Sequence, residues 1–107
     1  MQQVFSDHCD IVVVNYNSSA YLTSCVTSSF NLCNKLVIVD NASTDNSLAL
    51  CEQYYLQNPK LHIIRNETNL GFAAACNQGY QVCQSEYVLF LNPDCVLAAD
   101  AVAEMLK

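Results

Sequence analysis

An uninterrupted apolar run, Tyr87–Leu91 (YVLFL), stops abruptly at Asn92-Pro93-Asp94. Such a run, with no polar alternation, is typical of a β-strand that is buried on both faces, as in parallel sheets. Proline lacks the N–H that a strand ladder needs, so the strand is predicted to end before Pro93. The sequence therefore predicts an amide and a carboxylate at the carboxyl end of a buried strand, where open α/β sheets bind their ligands.

Three earlier β-prone runs alternate with segments of helical periodicity. Strands are predicted at Asp10–Asn15, Lys35–Asp40 and Leu61–Arg65. Helices are predicted between successive strands and again from about Ala99 to Lys107. This β-α-β-α-β-α-β-α order is typical of a parallel sheet with right-handed crossovers. No repeat, low-complexity tract or linker interrupts the order, so a single domain over residues 1–107 is expected.

The helices are predicted from their caps and their apolar faces. Candidate N-caps are Ser18 or Ser19 for the first helix and Ser43 or Asp45 for the second. The third helix is predicted to present one apolar face, formed by Phe72, Cys76, Gly79, Tyr80 and Cys83.

Charge and cysteine usage exclude several classes of protein. The net charge is −6 with only four basic residues, which argues against a nucleic-acid partner and means that a bound phosphate would need a metal cation. The seven cysteines lack zinc-site spacing, which predicts reduced, mostly buried thiols.

The sequence shows no signal peptide and no run long enough to span a bilayer. A cytoplasmic location, or one at the inner face of the membrane, is expected.

Polar side chains end each predicted strand, at Asn15, Asp40, Asn66 and the Asn92/Asp94 pair. Because the carboxyl ends of parallel strands meet at one edge of a sheet, a polar site is expected there. Amides suit a base or sugar hydroxyls, and a carboxylate suits Mg or Mn that bridges a diphosphate. The chain has no GxxxxGK[ST] motif, and no GxGxxG follows the first strand, so it is not a P-loop protein and a dinucleotide site is disfavoured.

Structural roles compete with these ligand roles. Asp40 and Asp94 also suit turns, in which an Asp side chain bonds to nearby backbone. Asn77, a poor helix former within a helical pattern, is either an exposed residue or part of the site. Arg65 suits either a phosphate contact or the surface. Cys95 lies beside Asp94, but no His or other base is near it in sequence, which disfavours a nucleophilic role.

Four segments in order carry a family resemblance. IVVVNYNSSAYL, LVIVDNASTDNSL, NLGFAAACNQG and YVLFLNPDCVL resemble the N-terminal half of a family 2 glycosyltransferase with the GT-A fold, over about Asp10 to Lys107. The resemblance implies a truncated three-layer, Rossmann-like α/β nucleotide-diphospho-sugar fold with about four parallel strands. It also implies an inverting transfer of a sugar from a nucleotide-diphosphate donor to a glycan or lipid-linked acceptor.

The resemblance assigns roles to residues at the strand ends. The expected contacts with the nucleotide sugar are Asn15, Tyr16, Asn17, Asp40, Asn41, Asn69, Gly71, Asn77, Asn92 and Asp94. Asp94 is also the expected ligand of a divalent metal, Mg or Mn. No catalytic base is identified, because in the family that carboxylate belongs to the absent half.

The chain departs from the family in motif and in length. The family's DXD position reads Asn92-Pro93-Asp94, a form similar to rhamnosyltransferase-like members, which favours dTDP-rhamnose and leaves other dTDP- or UDP-sugars open. At 107 residues the chain is expected to be a donor-binding half: an excised piece, a natural truncation or part of a split gene. The alternative is a catalytically incomplete nucleotide-binding fragment that needs a partner or the missing C-terminal half. Such a fragment is expected to self-associate through the face left by the missing half. A sugar nucleotidyltransferase is disfavoured, because the loop after the first strand is neither glycine-rich nor basic.

Overall fold

The computed structural model describes residues 8–55 and 57–98, in which four strands alternate with three α-helices. The strands are β1 (Cys9–Asn15), β2 (Lys35–Asp40), β3 (Leu61–Arg65) and β4 (Tyr87–Leu91). The helices are α1 (Tyr21–Ser29), α2 (Ser47–Tyr55) and α3 (Phe72–Gln81). A short 3-10 helix, Phe30–Leu32, follows α1. The helix predicted from about Ala99 to Lys107 lies outside the described residues.

The four strands form one parallel sheet in the order β3-β2-β1-β4. The chain adds β2 and β3 on one side of β1 and then returns to add β4 on the other side. The direction of strand addition therefore reverses between β1 and β4, which is the position where open α/β sheets bind ligands. In register, Asn15 lies opposite Asp40, and Val13 lies opposite Leu91. The predicted parallel α/β architecture is confirmed.

Helices cover both faces of the two central strands. Alternate residues of β1 point to opposite faces: Ile11 packs in one cluster with Leu22 of α1 and Cys51 of α2, and Val12 packs in the other with Ala75 of α3. The strands β1 and β2 are buried on both sides because each face has a helix against it. The expected three layers are therefore present.

The position of β4 corrects one prediction. It is parallel, as expected, but among the described residues it pairs with β1 alone and lies at the sheet edge. Tyr87 is 45% exposed and Phe90 43%, so the strand is not buried on both faces. An apolar run specifies an extended segment, whereas burial depends on which elements cover it, and α3 packs on β1 and β2 instead.

The face of α3 also differs from its prediction. Gly79 is buried, but Phe72 and Tyr80 are 59% and 58% exposed. The buried stripe runs through Ala75 and Gly79, one turn apart. Small residues there let the helix lie close to the sheet, and the two bulky rings are turned away from that contact.

The caps follow the prediction in part. The N-cap of α1 is Ala20, with no side-chain cap, so neither Ser18 nor Ser19 has the predicted role. At the start of α2, the Asp45 carboxylate accepts a hydrogen bond from the Ser47 N–H at 3.1 Å, as the cap prediction requires. Ser43, the other candidate, instead contacts the loop after β1.

All seven cysteines are free thiols. Cys9, Cys25, Cys33 and Cys51 are buried, which confirms the prediction of unpaired, mostly buried thiols. Burial raises the pKa of Cys25 and of Cys33 to about 12, so both are protonated and unreactive at neutral pH. Across residues 8–55 and 57–98, none of the helices has the length and apolarity that crossing a bilayer requires.

Candidate functional site

A cavity of about 390 Å³ opens at the carboxyl ends of β1 and β4. The loop after β1 and the first residue of α1 form one wall. The segment that follows β4, which contains Pro93, forms the other. Its lining residues are Tyr16, Asn17, Ser18, Tyr21, Asn92, Pro93 and Asp94. The cavity therefore lies at the reversal point of the sheet, as the strand-end pattern predicts.

The wall after β4 presents a carboxylate. Asp94 is exposed, and its side chain makes no hydrogen bond or ion pair with another described residue. The backbone beside it is held in place, because the Asn92 carbonyl accepts hydrogen bonds from the Cys95 N–H at 3.0 Å and from the Cys25 Sγ at 3.7 Å. A fixed segment thus holds a carboxylate whose oxygens are available to a ligand.

The donor set suits a metal ion shared with a substrate. The described residues contain no group of three or more His, Cys, Asp or Glu side chains that would hold a metal by themselves. Mg and Mn commonly take one or two protein carboxylates together with substrate phosphates, and Asp94 supplies one. No Lys or Arg is among the described lining residues, so the positive charge for a diphosphate would come from such an ion.

The opposite wall presents aromatic rings. Tyr16 is 50% exposed and Tyr21 64%, and both line the cavity. Exposed rings at a cavity wall suit stacking with a flat base. Tyr21 and Ser18 were not among the predicted contacts. Only their position in the sequence could have indicated that they line the cavity, because both lie within six residues of the end of β1, no further along than the first turn of α1.

Asn15 and Asp40 are buried, are absent from the cavity lining and bind each other. Asn15 is 0% exposed and Asp40 6%. The Asn15 amide donates to the Asp40 carboxylate at 2.8 Å and to the Ser47 Oγ at 2.9 Å. The other carboxylate oxygen of Asp40 accepts from the Ser43 N–H at 3.1 Å. Both predicted contacts are thus engaged within the fold.

Asn41, Asn69 and Gly71 form a second group. Asn41 is 2% exposed, and its amide donates to the Gly71 carbonyl at 3.1 Å. The Asn69 Oδ1 accepts from the Gly71 N–H at 2.8 Å. Gly71 has φ +88°, a conformation that a glycine adopts without a Cβ clash. These contacts tie the loop before α3 to the end of β2, and none of the three lines the cavity.

The structure thus brings four of the ten predicted contacts into one cavity: Tyr16, Asn17, Asn92 and Asp94. Asn77 is exposed on α3 and lies outside that lining. Arg65, one candidate for a phosphate contact, forms an ion pair with Glu52 on the surface. Cys95 is half-buried beside Asp94, as its sequence position implies.

Fold and site together define an α/β protein with a cavity at the reversal point of a parallel sheet, between aromatic rings and a carboxylate. Residues 10–107 match the model of the family described as Glycosyl transferase family 2. The chain therefore belongs to glycosyl transferase family 2.

Curated relatives are longer than this chain. The glycosyltransferase GlyG of Streptococcus pneumoniae serotype 4 is 28% identical over 105 residues, which cover 95% of this chain and 35% of the relative. The chondroitin synthase of Escherichia coli is 32% identical over 95 residues, covering 86% of this chain and 14% of the relative. The chain thus spans about a third or less of the length of these relatives.

Solved structures share the fold. S. aureus TarS 1-349, in complex with UDP, superposes with a TM-score of 0.79 at 26% identity, covering 92% of this chain and 30% of that one. The mannosyltransferase PcManGT from Pyrobaculum calidifontis gives a TM-score of 0.84 at 19% identity, covering 98% and 33%. Both are GT-A glycosyltransferases, so the predicted GT-A fold is confirmed.

Proposed function

We propose that this chain is the donor-binding part of an inverting glycosyltransferase that moves a sugar from a nucleoside diphosphate to a hydroxyl of a glycan or lipid-linked acceptor. The observation that carries the proposal is the cavity between β1 and β4, with Tyr16 and Tyr21 on one wall and Asp94 on the other. Membership of the family supports it, as does the similarity to TarS, which was solved with UDP and with UDP-GlcNAc.

The two walls of the cavity would bind different parts of the donor. The rings of Tyr16 and Tyr21 would stack on the base, a contact worth about 1–3 kcal/mol per base. Asp94 would hold a divalent ion, Mg or Mn, that neutralises the negative charge of the departing diphosphate. The volume of about 390 Å³ lies in the range of small-molecule sites. The cavity as described would take the base and diphosphate, and the acceptor would bind to the remainder of a full-length enzyme.

The proposal extends to the donor and the location. We propose a pyrimidine nucleotide, with dTDP-rhamnose favoured by the Asn92-Pro93-Asp94 motif and a UDP-sugar as its competitor. The UDP bound to TarS supports the pyrimidine and favours neither sugar. A cytoplasmic location is also proposed, because unpaired thiols persist in a reducing compartment.

Calorimetry with UDP, dTDP and GDP, each with and without Mn, tests the proposal. Metal-dependent binding of UDP or dTDP is expected, and Asp94→Ala is expected to weaken it at least about tenfold, because the only carboxylate on the described lining is removed. Glu86→Gln is the matched control, since it removes one negative charge at the opposite end of β4. Equal metal-dependent affinities for Asp94→Ala and wild type would refute the role of Asp94.

A second candidate function is nucleotide binding without turnover. It is favoured by the exposed apolar side chains Tyr87 and Phe90 on the edge strand and by the length of the relatives. In this proposal residues 1–107 are one domain that needs the remainder of a longer protein, or self-associates through the β4 edge. Donor binding without release of free sugar or transfer to any acceptor would favour this candidate over the enzyme.

A further inference from the structure

The loop after β1, which forms one wall of the cavity, is fastened to the loop after β2. The Asn17 Oδ1 accepts hydrogen bonds from the N–H groups of Thr44 at 2.7 Å and Asp45 at 3.2 Å. In the other direction, the Asn17 N–H donates to the Ser43 Oγ at 3.0 Å, and the Ser19 N–H donates to the Asp45 carboxylate at 2.9 Å. We call these four hydrogen bonds the loop clamp.

The loop clamp holds backbone conformations that are unfavourable for L-residues. Asn17 has φ +52° and Ser19 φ +54°, in the left-handed region that L-residues enter at a cost of roughly 1–2 kcal/mol each. Across the clamp, Ala42 has φ +65°. Asn is among the residues that enter this region most readily, because its short polar side chain bonds to nearby backbone. Such conformations persist where the surrounding contacts define them.

Buried hydrogen bonds of the Asn15 amide support the loop clamp. The two N–H bonds of the Asn15 amide, directly before the loop, are shared among three acceptors: the Asp40 carboxylate at 2.8 Å, the Ser47 Oγ at 2.9 Å and the Ser43 Oγ at 3.2 Å. Ser43 thus receives hydrogen bonds both from the strand end and from Asn17. The ends of β1 and β2 and the start of α2 therefore form one hydrogen-bonded unit, and the loop carrying Tyr16 is attached to it.

We infer that Asn17 is a positioning residue, which keeps Tyr16 and Ser18 in the cavity wall by accepting hydrogen bonds from the loop after β2. Its carboxamide oxygen is already occupied by two backbone N–H groups, so this oxygen is not the group that reads a ligand. A wall fixed before binding avoids the entropic cost of ordering it in the complex. The inference rests on the proposed function in one respect, that the ligand of the wall is a nucleotide.

Three variants of the 107-residue chain separate the possible roles. Asn17→Gly permits the positive φ but removes the oxygen that accepts from Thr44 and Asp45. Asn17→Asp keeps an oxygen at that place and removes the amide donor. Ser19→Gly is the matched control, since it also introduces glycine at a positive φ but leaves every backbone donor of the loop clamp in place.

Two measurements are made on each variant: amide hydrogen exchange at Thr44 and Asp45 by NMR, and calorimetric affinity for the nucleotide that wild type prefers. Asn17→Gly is expected to speed exchange at both amides and to weaken nucleotide binding, each by about tenfold, because the wall is no longer preorganised. Ser19→Gly is expected to match wild type in both. Asn17→Asp is expected to keep the amide protection and, at high salt that screens its new charge, to bind within about threefold of wild type.

Several results would overturn the inference. Unchanged amide exchange in Asn17→Gly would mean that Asn17 does not hold the loop. Unchanged affinity in this variant would mean that the hydrogen bonds of Asn17 do not affect nucleotide binding. An Asn17→Asp variant with intact amide protection but affinity as weak as Asn17→Gly would show that Asn17 contacts the ligand directly. If wild type binds no nucleotide, the proposed function fails, and the exchange data alone then decide whether Asn17 holds the loop.

Discussion

Gly79 shows how one residue sets the distance between two layers. A Cβ built at this position would lie 2.5 Å from one γ-methyl of Val12 and 3.3 Å from a γ-methyl of Val39. Two carbon atoms that are not bonded to each other do not approach to 2.5 Å, so either the helix or the two β-branched side chains must move. The close packing of α3 on the centre of the sheet therefore depends on the absence of a side chain at residue 79.

Gly79→Ala is expected to lower the free energy of unfolding by about 1–2 kcal/mol. Alanine would favour the helix by about 1 kcal/mol. Overpacking a tight core costs about 1–3 kcal/mol, and we expect about 2–3 kcal/mol here because the new methyl group meets two branched side chains. Urea denaturation measures the difference. Gln81→Ala, at an exposed position of the same helix, is the control and is expected to be neutral or slightly stabilising. A Gly79→Ala protein as stable as wild type would contradict the packing argument.

At the scale of elements, Asp10 joins the start of β1 to the turn that leads into β4. Its side chain is 0% exposed. One carboxylate oxygen accepts from the N–H groups of Gln84 at 2.8 Å and Ser85 at 3.1 Å, and the other accepts from the Ser85 Oγ at 2.6 Å. Burial acts to raise the pKa of Asp10, but the hydrogen bonds from Ser85 and Gln84 together outweigh it and leave the pKa below its usual value.

The lowered pKa of Asp10 predicts a stability that depends on pH. Its contribution is complete above the unfolded-state pKa, near 3.9, and is lost as the pH falls through the lower folded-state pKa. Asp10→Asn is expected to cost about 2–3 kcal/mol at pH 7, because the three hydrogen bonds to Asp10 lose the negative charge of their acceptor and become weaker, neutral ones. Urea denaturation from pH 7 to pH 2 should show the two proteins converging in acid. An equal gap at all pH values, or a similar loss in the exposed control Glu67→Gln, would refute this role.

At the scale of the whole molecule, large apolar side chains are exposed on β4 and not on β3, the strand at the other edge of the described sheet. Phe90 and Tyr87 on β4 are both more than two-fifths exposed, and β4 has a described partner on one side only. An exposed apolar edge strand is a template for pairing with another chain. The chain is therefore expected to self-associate through β4 unless the remainder of a longer protein covers that edge.

Phe90→Glu is expected to reduce this self-association, because a charge on an edge strand opposes pairing. Sedimentation velocity over a wide concentration range measures it. Tyr54→Glu introduces the same charge at a residue that is 70% exposed on α2, so it should associate as wild type does. A wild-type chain that sediments as a monomer throughout would rule out the edge as a self-association surface.

The strands, the helices and the fold class follow from the amino-acid pattern. Runs such as Ile11–Val14 and Leu36–Val39 are extended because β-branched and apolar side chains fit a sheet covered on both faces, and the segments between them carry helical spacing. From this alternation follow the parallel sheet and a polar candidate site at the strand ends, where the cavity lies. These features are local in origin, which is why one chain without a structure suffices to predict them.

The partners of the polar side chains at those strand ends are fixed by the assembled fold. The partner of Asn15 is Asp40, 25 residues away, and the donors to Asp10 lie 74 and 75 residues away. No local pattern shows that Asp40 and Asn41 are bonded within the fold while Asp94 faces the cavity, or that β4 is an edge strand. Hydrogen bonding and burial depend on distances between residues far apart in sequence, and those distances exist only once the sheet has assembled.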